Sequence, residues 1–145
     1  MIQRIQTVYL AVAALLTLAV LFAPFASGKL EASPFFNDGV YTSTDFLPLT
    51  ALIVLTAVGL TIAIFRFSNR HVQLRLCLIC ILESALILVV AAFALFGQLP
   101  AAADTHGISV GIGTFLPLVS MAATYLAMRG IRADERLVRS MDRLR

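Results

Sequence analysis

Glu83 is the only acid inside the long apolar runs of this 145-residue chain. A carboxyl in such surroundings is either held by a partner or put to work. On a helix, Cys77, Cys80 and Ser84 fall at i, i+3 and i+7, with Glu83 beside that row. No Lys, Arg or His lies in another apolar run to pair with it. Two chemistries stay open for Glu83 and Ser84 as an intramembrane polar site. One is a passive protonated carboxyl bonded to Ser84, to a threonine such as Thr56 or to a carbonyl; the other is a proton-coupled site.

Cys77 and Cys80 make a Cys-x-x-Cys, the spacing of a redox thiol pair. Here the pair sits towards the inner end of its apolar run, and no second pair exists to relay electrons. Packing cysteines are therefore the expectation, with a thiol oxidoreductase as a remote alternative. Structural zinc takes four Cys or His ligands, and His71 does not complete such a set. His106 beside Asp104 reads as a solvated loop residue. There is no glycine-rich phosphate loop, HExxH or nucleophile elbow. No catalytic, cofactor-binding or metal residue is assigned, and an enzyme is not expected.

The remaining chemistry is in the tail, "IRADERLVRSMDRLR". At about 100° per residue, Arg132, Arg136, Arg139 and Arg143 form one basic stripe. Ile131, Leu137, Val138, Met141 and Leu144 lie opposite, and Glu135 precedes Arg139 in the favourable order for a helical ion pair. Guanidinium groups in a row suit carboxylates or phosphates. The stripe is a candidate site for an acidic cytoplasmic partner or a membrane protein; a solvated face that only sets topology is the plainer reading. Nucleic acid is not an expected partner.

These residues must be positioned by helices in a bilayer. The chain is 60% apolar and 13% charged, far from a soluble mixture. Ile5 to Ala26, Phe46 to Phe65, Leu74 to Phe96 and Ile108 to Met128 are each about long enough, at ~20 residues, to cross a ~30 Å core. "LTALIVLTAVGLTIAIF" has no polar face for water, and helices alone satisfy such a backbone in lipid. The expected fold class is an all-α membrane protein: residues 1–128 as four transmembrane helices with an outer loop at 27–45, and residues 129–145 as a charged amphipathic C-terminal helix.

The first run exceeds a signal-peptide core, so it is expected to be retained. Of the Lys and Arg residues only Lys29 falls outside, which puts both termini and the Phe65 to Arg75 connection in the cytoplasm.

In the outer loop, Asn37-Asp38-Gly39 is a turn signal between Lys29 to Phe36 and Val40 to Ser43, a candidate hairpin. Phe35, Phe36 and Tyr41 suit the membrane interface. "FLPL" occurs at Phe46 to Leu49 and again at Phe115 to Leu118, suggesting two hairpins in a rough repeat. Pro48 falls in a first helical turn. Pro117 either kinks a helix begun near Ile108 or opens a shorter one that runs on into the tail. "GISVGIG" places Gly107 and Gly111 four apart, with Ser109 and Gly113 on a second row. Such spacing lets helices pack closely, inside the bundle or in a homodimer; an irregular outer loop would remove both readings.

"MIQRIQTVYL", "RHVQLRLC", "GIGTFLPL" and "DERLVRSMDRLR" together resemble a bacterial domain-of-unknown-function family of small four-span inner-membrane proteins, nearly end to end. The resemblance implies a multi-pass protein of the bacterial inner membrane and carries over no site residue. It also places a polar Asn where Cys80 stands here, which counts against a thiol mechanism. The functional expectation is a non-enzymatic accessory, scaffold or assembly subunit in the lipid bilayer, with a small proton-coupled transporter using Glu83 as the rival.

Overall fold

The structure is a computed structural model. It describes residues 2–28, 39–98 and 108–142, with side chains over 5–28, 39–97 and 108–137. Four helices run α1 (Ile2–Ala19), α2 (Leu47–Phe65), α3 (Arg70–Gln98) and α4 (Phe115–Asp142). Three two-residue strands, β1 (Ala26–Ser27), β2 (Val40–Tyr41) and β3 (Ser109–Val110), close one end of the bundle. The fold is all-α, and α2, α3 and α4 each contain a stretch long and apolar enough to cross a membrane. Only 28–39% of those stretches is buried inside the bundle. The surface of the bundle is itself oily, with Leu55, Leu82, Val89 and Phe93 all exposed.

Helix α1 stops at Ala19 and relaxes through turns over Val20 to Ala23, short of the Ala26 expected from composition. Pro24 has no N–H to continue the ladder, and the chain enters β1 instead. β1 is the central strand, antiparallel to both neighbours in the order β2-β1-β3. Ala26 faces Tyr41 on one side and Val110 on the other. Val40 and Tyr41 thus pair with β1; the other arm of the expected hairpin, Lys29 to Phe36, lies outside the described residues. Gly39 leads into β2 at φ +76°, a conformation that costs glycine little.

The repeat marked by "FLPL" extends well beyond those four residues. Strand β2, the 3-10 turn Ser43–Asp45 and Phe46 to Leu49 at the head of α2 recur, at one offset in sequence, as β3, the 3-10 turn Ile112–Thr114 and Phe115 to Leu118 at the head of α4. Both units hang from β1. Ahead of α2, the Thr42 N–H and hydroxyl both donate to the Asp45 carboxylate, at 2.7 and 2.8 Å. Pro48 sits at the head of α2, where a missing donor is harmless.

At α4 the longer alternative is overturned. The helix begins at Phe115, Pro117 lies in its first turn, and one unbroken run of 28 residues, about 42 Å, carries on to Asp142.

Each helix packs against two others, with α1 between α2 and α4 and α3 between the same pair. Leu10, Leu60, Cys77, Cys80, Ala127 and Ile131 form one apolar cluster, and Val20, Phe25, Tyr41, Leu49, Ile53 and Ile87 form another. Buried hydroxyls of Thr17, Thr56, Ser84, Ser120 and Thr124 complete the interior.

Candidate functional site

The α2–α3 connection and the polar extension of α4 lie at the end of the bundle opposite the sheet. Asn69 opens α3, its side-chain oxygen accepting from the Val72 N–H at 3.3 Å. The next turn presents His71 to α4, where Nε2 lies 3.6 Å from Glu135 Oε1. Ile131 is buried one turn earlier in the shared core, so the extension is docked on the bundle as well as tethered to it.

Arg132 and Arg136 are exposed, and with His71 and Glu135 they line an open cleft of about 320 Å³. Two arginines and an imidazole around one cleft can hold a carboxylate or phosphate, although Glu135 competes for the same donors. The Arg139 side chain and Arg143 lie outside the described residues. Of the apolar residues opposite the stripe, Ile131 is buried in the bundle and Leu137 is exposed. His71 is the member that sequence reading missed; its place at the start of α3, level with the tail, was the available signal.

Glu83 and Ser84 do not form one site. Ser84 is buried and its hydroxyl donates to the Cys80 carbonyl at 2.8 Å, while the Thr56 hydroxyl donates to Leu52 O at 2.9 Å. Both hydroxyls considered as partners of the carboxyl thus donate to carbonyls of their own helices. Glu83 is partly exposed on a flank of α3, and no hydrogen bond or ion pair reaches its carboxyl among the described residues.

Cys77 and Cys80 are free and buried. Cys80 Sγ lies 3.9 Å from Thr56 O, and a Cβ on Gly59 would come within 2.9 Å of that sulfur. The Cys80 thiol fills the α2–α3 seam, and Cys77 is buried in the same apolar cluster. Among the described residues no group of three His, Cys, Asp or Glu side chains is placed to hold a metal.

The glycines serve a different purpose from helix packing. Gly111 is extended and Gly113 lies in the 3-10 turn before α4. Their N–H groups donate to Phe25 O and Pro24 O at 2.9 and 2.8 Å. A Cβ on Gly113 would sit 2.7 Å from Pro24 O, so the small residues admit close backbone approach to the strand entry. The helix-packing and glycine-mediated dimer readings fall away for this pair; Gly107 lies outside the described residues.

An apolar cavity of about 340 Å³ also opens between the sheet and α3, lined by Phe25, Tyr41, Ala91, Leu95 and Val110 among others. Tyr41 is wholly buried there, its hydroxyl 3.5 Å from Ala91 O and its ring 5.9 Å from that of Phe25. Burial, and secondarily the Asp45 carboxylate, push the Tyr41 phenol up to about 12.

The class defined by this geometry is an all-α bundle with an oily exterior, a small sheet at one end and an arginine-bearing helical extension at the other. The chain belongs to the family described as domain of unknown function (DUF4293), which matches residues 2–144. No curated protein and no solved structure matches it.

Proposed function

We propose that the chain is a four-span protein of the bacterial inner membrane with both termini in the cytoplasm, acting without catalysis as an accessory or assembly subunit. Its task is to hold Arg132 and Arg136, with Arg139 and Arg143 farther along, before an acidic or phosphate-bearing partner. The observation that carries this reading is the continuity of α4: one helix runs through the bundle and out of it, with Ile131 buried. The arginines therefore project from a docked scaffold, and less ordering entropy opposes their engagement.

The four-span reading rests on the three long apolar helices and on α1, apolar over Ile5–Ala19. α1 forms a wall of the bundle through Leu10, Ala13 and Thr17, which supports its retention. Arg66, Arg70, Arg75, Arg129 and Arg132 gather at the end opposite the sheet, and the positive-inside rule makes that end cytoplasmic. The bacterial inner membrane follows from the sequence resemblance. A proton path from Glu83 would need free relay groups, whereas the Thr56, Ser84 and Thr124 hydroxyls each donate to a carbonyl of their own helix.

Replacing Arg132, Arg136, Arg139 and Arg143 together by Lys tests the proposal, because charge and topology signal persist while the fork geometry is lost. Mild-detergent pull-down should lose the partner in the Lys variant although the protein still inserts. A Lys variant equal to wild type in capture would reduce the stripe to a topology signal. Liposome binding that survives the Lys exchange and falls with salt would identify the partner as anionic lipid.

A further inference from the structure

We infer that a flank of α3 is the contact surface for a second copy of this chain, with the two Glu83 carboxyls meeting at the twofold axis. The inference goes beyond the tail reading and shares with it only the premise that every copy has one orientation in the bilayer.

Three observations converge on this flank. Glu83 lies about midway along a 29-residue helix, and apart from Ser84 the residues near it in sequence are apolar. It is partly exposed and has no hydrogen-bond or ion-pair partner among the described residues. Leu, Ile and Val facing lipid need no protein partner, but a carboxyl there does.

The second observation is the pattern around it. Leu76, Ile79, Glu83, Leu86, Val90 and Phe93 recur at alternating spacings of three and four. That is the seam of a left-handed helix pair, the crossing most membrane bundles use. Ile79, Leu86 and Phe93 on this row are exposed, and Leu76, Glu83 and Val90 are partly so. A single polar group within an otherwise apolar seam fixes register and partner number.

The third is self-complementarity. A twofold contact sets each residue of the seam near its own copy, so the partner of Glu83 must be satisfied by a glutamate. A neutral carboxyl both donates and accepts. Two of them facing each other form two reciprocal O–H···O bonds and leave no donor unused. No Lys, Arg or His occurs inside α1 over residues 5–19, inside α2 or in α4 over residues 115–128, so those stretches offer Glu83 no cationic partner.

Cysteine cross-linking in proteoliposomes of purified protein tests the interface, starting from Cys77→Ser with Cys80→Ser. Single cysteines at Ile79, Leu86 and Val90, which leave Glu83 in place, should give covalent dimers on oxidation with copper–phenanthroline. Cysteines at Ala85 and Val89, off the row, should not.

In parallel, single-molecule photobleaching of the otherwise unchanged chain should show dimers. Glu83→Ala should weaken dimerisation on the order of tenfold. Glu83→Gln, whose amide also donates and accepts, should retain most of it. A monomeric wild-type chain, or cross-linking at Val89 and Ala85 equal to that on the row, would overturn the inference. Failure of the tail reading would leave the cross-linking pattern unchanged, so the two are separable.

Discussion

Thr17 of α1 and Ser120 of α4 meet inside the bundle with their hydroxyl oxygens 2.8 Å apart, and both also reach the carbonyl of Ala13, at 2.9 and 3.0 Å. One acceptor thus serves two helices. Ser120→Ala should cost about 1 kcal/mol in thermal or denaturant unfolding in detergent, the usual scale for an interhelical hydrogen bond in such proteins. Thr17→Val should cost less, because Ser120 keeps the Ala13 carbonyl. The double variant should lose less than the sum, since the three groups form one network. Strict additivity would show that the hydroxyls do not communicate.

The helices were legible because Leu, Ile, Val and Ala run for about the thickness of a bilayer almost without a charge. Phe46–Leu49 and Phe115–Leu118 announced a repeat for the same reason, as the same four residues precede two similar runs. The ends were less legible. Val20 to Ala26 stays apolar although the helix has stopped, because Pro24 and the pairing of β1 decide there, and a two-residue strand has no period to read. Gly111 and Gly113 have the spacing of a helix seam, yet that spacing equally serves an extended chain pressed against Pro24. Glu83 was visible as a problem, but which flank of α3 it occupies depends on tertiary packing.

Gly113→Ala places a methyl 2.7 Å from Pro24 O and 2.8 Å from Ala23 O, both backbone atoms that cannot swing aside. A loss of roughly 1–3 kcal/mol is expected, as for other overpacked sites. Gly97→Ala meets nothing within 4 Å near the end of α3 and should be neutral or gain up to ~1 kcal/mol. Melting temperatures of the two variants should move in opposite directions or differ clearly; equal behaviour would contradict the close approach.

Docking of the tail divides between Ile131 and the His71–Glu135 pair. Ile131 is 1% exposed, whereas the His71 side chain is 71% exposed. Ile131→Ala should cost about 2–5 kcal/mol and speed amide exchange over the last turns of α4. His71→Ala should cost no more than about 1 kcal/mol, the range for an exposed ion pair. If His71→Ala frees the tail and Ile131→Ala does not, the extension is held by charge instead of packing.

Gln6 and Gln73 occupy comparable places at the foot of the bundle with opposite hydrogen-bond status. Gln73 Nε2 donates to Ala63 O at 3.0 Å, bridging α3 to α2. Gln6 is 6% exposed against Gly130, and its Nε2 has no partner among the described residues. Gln6→Leu should therefore be neutral or stabilising, since it removes an unsatisfied buried donor. Gln73→Leu should destabilise by about 1 kcal/mol. A larger loss for Gln6→Leu than for Gln73→Leu would mean that the Gln6 amide is engaged in the membrane-bound protein.

Tyr41 gives the sheet end of the bundle an alkaline limit. Its phenol ordinarily titrates at 10.0 and is pushed up to about 12 in the fold. The folded state then holds this proton more tightly than the unfolded chain does. Its contribution is fully present below pH 10 and is lost as pH rises through about 12. Stability in detergent should decline across that window, with absorbance of the ionised phenol appearing late. Tyr41→Phe keeps the ring against Phe25 but gives up the weak bond to Ala91 O, so it should be slightly less stable at neutral pH and should lack this component of the alkaline decline. An unchanged alkaline profile in Tyr41→Phe would assign the limit to other groups and place the Tyr41 hydroxyl in contact with solvent.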